Sequence, residues 1–264
     1  MITRKLFFAL LTLPVFFVLL AARPNNTVRF KGVVVYNRTA PLPRVVPVSR
    51  SQALCGPALP DETVLVHPKG GLQNVFIIIA NIAAEKLPPL TLNLEIKACR
   101  FQPRVLALGV GSVLTIRNQD AMLHDVKARW QPFITNWNQT STLNIFGDET
   151  ETAFSFAFPQ KNLLAQEKLE KPGLLHLQSD LGHDWMQGYI LVMPHRYFAV
   201  TNAEGKFELP ALPVGQYDLL LWHESLGVKR QIVEIKANDK NESFLKWFPE
   251  DAATANRADS AATN

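Results

Sequence analysis

The sequence predicts an all-β chain folded into sandwiches or barrels, and three observations carry that expectation. Short apolar or alternating runs rich in Val, Ile, Leu and Phe recur along the chain, and period-two patterning marks strands with one buried face. Pro, Gly and Asn-Asp clusters punctuate those runs at a spacing that suits all-β folds. Helical patterning is scarce. The best helix candidate is 160–171 (QKNLLAQEKLEK), a polar stretch ended by Pro172-Gly173, and it reads equally as a charged loop.

The first element, 1–22, has the layout of an export signal. Arg4 and Lys5 precede an uncharged apolar run from Leu6 to Leu20 that ends near Ala21-Ala22. Leu20 stands where cleavage prefers a small residue, so an uncleaved amino-terminal anchor is the alternative. The run is short for a membrane span, and Pro14 interrupts it. The expected location is periplasmic or secreted, with membrane contact only through this segment if it stays uncut. Cys55 and Cys99 are the only cysteines, and an even count in an oxidising compartment implies one disulfide. Closing a loop of that length stabilises a fold by roughly 4 kcal/mol in the chain-entropy model. The alternative, that both cysteines bind metal, has Gly56-Pro57 and Pro103 rather than histidines beside them. The formal charge is +4, two units of it from Arg4 and Lys5. No basic run or face points to nucleic acid.

Strands are expected at 28–36 (VRFKGVVVY), 62–67, 74–80 (NVFIIIA), 90–96, 112–118, 153–158, 174–179, 189–193, 197–201, 206–210, 217–223 (YDLLLWH) and 230–235. A seam falls near Pro194. Beyond it, Ala203-Glu204-Gly205 and Pro213-Val214-Gly215 make tight turns around alternating strands. The tail, 248–264, has almost nothing to bury and is expected to be disordered.

The chemistry-bearing residues lie in the middle of the chain. A Gly-bearing turn and a strand lead to the polar loop Asn118-Gln119-Asp120 and then His124; much later, SDLGHDWM places His183 and Met186 in one short loop. Two imidazoles and a thioether converging at one pole of a sandwich favour copper over magnesium, calcium or manganese. Nothing marks an enzyme: the sequence has no G-x-S-x-G, no H-E-x-x-H and no phosphate loop.

With these residues in view, the segment from Gly109 to Val192 resembles the cupredoxin family. It looks most like exported bacterial plastocyanin-like or methylamine-utilisation-like proteins. The likeness extends to Cys55-Gly56, Cys99-x-Phe101-x-Pro103, His195, 197–201 (YFAVT), Gly205, Phe207, Pro213, Gly215, Tyr217, Trp222-His223-Glu224 and Leu226-Gly227. It implies a cupredoxin-like Greek-key sandwich over 28–193. It also implies a smaller module over 194–247 similar to carboxypeptidase regulatory-like, or transthyretin-like, sandwiches. Strands from 28–80 could complete that module, which would make the middle of the chain an insertion.

The resemblance implies His124, His183 and Met186 as copper ligands, but the family's cysteine thiolate is missing. Its slot falls at Asp180 or Ser179, and strand alternation through Leu175 and Leu177 favours Ser179. A hydroxyl is a poor copper ligand, whereas Asp180 could give a two-histidine, one-carboxylate centre without blue colour. His195, His223 and Glu224 form a second candidate cluster, with a hydrogen-bonded domain corner as the structural alternative. His176 is expected to pack on a strand, and His67 to be exposed in a turn. The expected function is a non-enzymatic copper-site relative, with a redox or copper-handling protein of the envelope as partner. The alternative is a metal-free envelope module holding glycan or protein.

Overall fold

The structure, a computed structural model, describes residues 27–37, 39–133, 146–237 and 243–247. The segment read as an export signal and the tail read as disordered lie outside the described residues. In chain order the elements begin with β1 (Thr27–Tyr36), β2 (Val45–Pro47), α1 (Gln52–Cys55), β3 (Ala58–Pro60) and β4 (Phe76–Ile79). The middle of the chain supplies β5 (Thr91–Lys97), β6 (Arg100–Gln102), β7 (Val105–Gly109), β8 (Ser112–Asn118) and β9 (His124–Pro132). It continues through β10 (Glu151–Phe158), β11 (Leu164–Leu169), β12 (Gly173–Gln178) and β13 (Gly188–Met193). The last strands are β14 (Phe198–Val200), β15 (Lys206–Pro213), β16 (Gly215–His223), β17 (Gly227–Ile235) and β18 (Ser243–Trp247). The protein is all-β, as the patterning predicts, and its sheets pack as sandwiches.

Four sheets stack face to face. The order β11-β8-β5-β6 faces the order β10-β9-β12-β13-β7, and Leu94, Ile96, Leu114, Ile116, Val126 and Leu177 are among the side chains filling the space between. The order β14-β4-β16-β17 faces β15-β1-β18 over a second core that includes Phe30, Leu72, Ile77, Leu219 and Trp247. β1 and β4 therefore pair with strands from beyond Pro194, while every strand partner of β5 to β13 lies between 91 and 193. A third core joins the two sandwiches back to back. Phe76, Ile78, Leu220 and Trp222 on one side meet Val105, Leu174, Leu191 and Met193 on the other.

That seam explains the longest apolar runs. Successive side chains of a strand point to opposite faces, so β4 sends Ile77 and Ile79 into the second core and Phe76 and Ile78 into the seam. All four residues of β4 are buried. β13 divides Ile190 and Val192 from Leu191 and Met193 in the same way.

Three sequence expectations are corrected. Residues 164–169, within the helix-or-loop candidate, are strand β11, antiparallel to β8 with Gln166 opposite Thr115. Leu, Ala, Gln, Glu and Lys all favour helix, but by weak increments that a complete edge ladder overrides. Residues 62–67 contribute only an isolated bridge, Val66 to Leu72, because no neighbouring ladder continues the pairing. His67 is half-buried rather than exposed, its Nδ1 accepting from the Lys69 N–H at 3.1 Å.

At the rim of the seam, Arg104 makes a two-pronged ion pair with Glu224 at 2.7 and 2.6 Å, with side chains only 10% and 7% exposed. Removing one partner leaves a desolvated charge. Glu224→Ala is expected to lower unfolding free energy by about 3–5 kcal/mol in urea denaturation. A loss below about 1 kcal/mol, the range of surface pairs, would contradict this account.

Candidate metal centre

One pole of the first sandwich collects the histidines. β9 alternates His124, Val126, Ala128 and Trp130 inward with Asp125, Lys127 and Arg129 outward, so His124 enters the core by register. The loop from β12 to β13 carries His183. Gly182, at φ +78°, turns that loop in a region favouring glycine, and an added Cβ would sit 2.9 Å from Arg50 Nε. The two histidines are 0% and 3% exposed, and their ring centroids are 5.5 Å apart, edge to face. Met186 is buried in the adjoining core, and its N–H donates to the His183 carbonyl at 2.8 Å. The structure thus brings His124 and His183 together, with Met186 in the same loop as His183.

Each imidazole is engaged at one nitrogen and bare at the other. His124 Nε2 lies 3.0 Å from Asp120 Oδ2, and His183 Nε2 shares a hydrogen bond with Ser51 Oγ at 3.3 Å. A carboxylate only accepts, so neutral His124 carries its proton on Nε2 and its lone pair on Nδ1. The Nδ1 atoms of both histidines are buried without any hydrogen-bond partner, a condition shared among the described residues only with Trp247 Nε1. Buried polar atoms are ordinarily satisfied. Two bare imidazole nitrogens beside a thioether-bearing loop form a donor set that fits copper, and the Asp120–His124 contact is of the kind that would orient such a ligand.

Burial holds His124 and His183 below the usual histidine range, keeping both neutral and available as donors near neutral pH. At His183 the proximity of His124 adds to the effect; at His124 the Asp120 carboxylate opposes it. Trp185 lies against His183 with ring centroids 5.1 Å apart, and its Nε1–H donates to the Cys99 carbonyl.

Ser179 and Asp180 are committed elsewhere. Ser179 Oγ donates to Asp125 Oδ1, and the Asp180 carboxylate, 56% exposed, pairs with Lys127 Nζ at 2.7 Å. The carboxylate that meets His124 is Asp120. It was legible only as part of a polar loop, because which carboxylate meets His124 depends on the path of that loop. Asn118, fully buried, holds the path by donating to the Met122 carbonyl at 2.8 Å and accepting from the Asp120 N–H at 2.9 Å. Ser51 arrives from a segment that no spacing rule links to His183. Cys55 and Cys99 stand at bonding distance, with sulfurs 1.96 Å and Cα atoms 5.6 Å apart.

The second cluster is divided among separate partners. His195 Nδ1 accepts from the Tyr197 N–H, His223 Nδ1 accepts from the Ser225 N–H, and Glu224 binds Arg104. His176 packs against Tyr189 with ring centroids 4.9 Å apart and pairs with Glu149 at 2.7 Å.

No protein-family model matches the chain, and no curated protein matches it. Among solved structures it is similar to a copper-containing nitrite reductase from Thermus scotoductus SA-01, at 20% identity and TM-score 0.28, over 44% of this chain and 25% of that one. This chain therefore spans about a quarter of the nitrite reductase. It is also similar to a reduced amicyanin variant, at 16% identity and TM-score 0.28, over 39% of this chain and 82% of that one. A purple cupredoxin from Nitrosopumilus maritimus matches at 15% identity and TM-score 0.26, over 38% and 98%.

Burial lowers the pKa of His124, His183, His195 and His223, the last to about 4, with Arg104 adding to the effect there. Such a group binds protons more readily when unfolded, so its stabilising effect is complete above about pH 6.5 and is lost as pH falls toward the folded value. For His223 the window runs from about 6.5 to about 4, worth roughly 3 kcal/mol. Melting temperature is expected to drop steadily across that window. His223→Asn, which keeps an acceptor for the Ser225 N–H, should flatten the slope; an unchanged slope would discount this histidine.

Proposed function

We propose that this protein is an exported, non-enzymatic copper-binding relative of the cupredoxins that works without a thiolate. His124 Nδ1, His183 Nδ1 and the Met186 thioether would hold the ion. The reading rests on one observation above all: two facing imidazoles, each engaged at Nε2, each leave a buried Nδ1 with no partner. Copper bound there would supply a one-electron couple. The chain's own groups do the rest. Asp120 holds the proton of His124 on Nε2, Ser51 orients His183, and Trp185 packs over the His183 ring. The charged start and apolar run of 1–22 support export to the periplasm or beyond. A redox or copper-handling protein of that compartment is the partner this chemistry suits.

Mature protein given Cu(II) is expected to bind it stoichiometrically. Its paramagnetic-resonance spectrum should show nitrogen couplings, with only weak visible absorption. His124→Ala and His183→Ala should lose the site, and Asp120→Asn should weaken it by roughly 10–100-fold. Intense blue colour would contradict the thiolate-free centre. Failure of the unaltered protein to bind, with both alanine variants equally stable with and without copper, would favour a metal-free module holding glycan or protein.

A further inference from the structure

A second group of soft donors lies against the first. Met122 Sδ is in contact with both cysteine sulfurs, 3.8 Å from Cys55 Sγ and 4.0 Å from Cys99 Sγ. Cys99 Sγ, an Asp120 carboxylate oxygen and a ring nitrogen of His124 all lie within 4.8 Å of one another. Four potential metal donors thus cluster around Cys99, and its bond to Cys55 is what withholds the strongest of them. We propose that Cys55–Cys99 is a redox gate, and that its reduction opens a copper(I) site made by the Cys99 thiolate and the Met122 thioether.

The frame survives loss of the disulfide because other bonds hold Cys99. Ala98 and Cys99 form the two-residue tip between β5 and β6, with Lys97 opposite Arg100, and both have positive φ, 51° and 58°. Non-glycine residues there are strained. Asp120 offsets the strain by accepting the Ala98 N–H at 2.9 Å and the Cys99 N–H at 2.8 Å, while the Cys99 carbonyl accepts from Trp185 Nε1. Cys55 sits instead at the end of the one-turn helix α1, whose Gln52, Ala53 and Leu54 are exposed. So short a helix opens at low cost, and a reductant reaches the bond from that side.

The chemistry balances with one named reactant class, a protein dithiol. Its thiolate attacks the Cys55–Cys99 bond; two electrons and two protons pass to the cysteines, and the dithiol leaves as its own disulfide. Copper(I) then displaces the Cys99 thiol proton to solvent. Thiolate and thioether sulfur select this soft ion. The inference goes beyond the function proposed above and does not need His183 or Met186.

The test is competition of the full chain, oxidised and phosphine-reduced, for Cu(I) against a chromophoric chelator under argon. Reduction is expected to tighten binding by an order of magnitude or more. Cys99→Ser should abolish that gain and Met122→Leu should diminish it. Cys55→Ser, with Cys99 freed without reductant, should bind Co(II) with a sulfur-to-cobalt charge-transfer band. Equal affinity of both forms, or a gain kept in Cys99→Ser, would overturn the proposal. So would loss of the near-ultraviolet circular dichroism of the fold in both reduced protein and Cys55→Ser. Failure of oxidised protein to bind Cu(II), with the reduction gain intact, would instead overturn only the thiolate-free centre.

Discussion

The fold depends on sheets that are apolar on both faces. β4, β13 and β16 each place alternate side chains in different cores, and the seam they share carries Phe76, Trp222, Leu191 and Met193. Burying such side chains contributes about 1.5–3 kcal/mol each, so neither sandwich could expose its seam face without a large loss. The chain therefore closes as one stack. Trp222 lies 5.3 Å from Phe76 and 5.2 Å from Tyr189, ring to ring, locking β16 against both β4 and β13. The charged pair at the seam's rim, Arg104 with Glu224, is tolerated because each carboxylate oxygen meets a guanidinium nitrogen.

The site inherits its rigidity from that stack. β13 is buried on both sides, and its first residue, Gly188, packs closely against the Arg104 carbonyl. The loop bearing His183 is thus anchored at one end by a strand buried on both faces. The loop bearing Asp120 is anchored by Asn118, and the hairpin bearing Cys99 is anchored by Asp120. One carboxylate therefore serves two ends, fixing the proton of a histidine and the backbone of a strained turn. The arrangement leaves two groups of potential donors near His124: the bare Nδ1 atoms of His124 and His183, and the sulfurs of Cys99 and Met122.

Much of the strand pattern was legible because apolar side chains leave a direct record of burial. The unbroken runs FIII and YILVM already signal strands covered on both faces. β9 was harder, since HDVKARWQP hides its alternation among charges, although His124, Val126, Ala128 and Trp130 keep the period of two. The stretch 164–169 misled because its composition favours helix, while its conformation is set by β8 alongside it. Asp180 was the natural carboxylate by counting back from His183, but Lys127 draws it to the surface and Asp120 takes the place near the ring.

Local patterning was enough to establish an all-β chain, a polar loop leading to His124, the loop that bears His183 and Met186, and a cysteine pair. Those features follow from periodicity and residue chemistry, which act over a few positions. Long-range packing settled the rest: strands from before residue 80 pair with strands from beyond 197, Ser51 and Asp120 orient the imidazoles, and Met122 meets the cysteine sulfurs. Contacts between distant segments depend on which faces exclude water together, and no short window of residues records that.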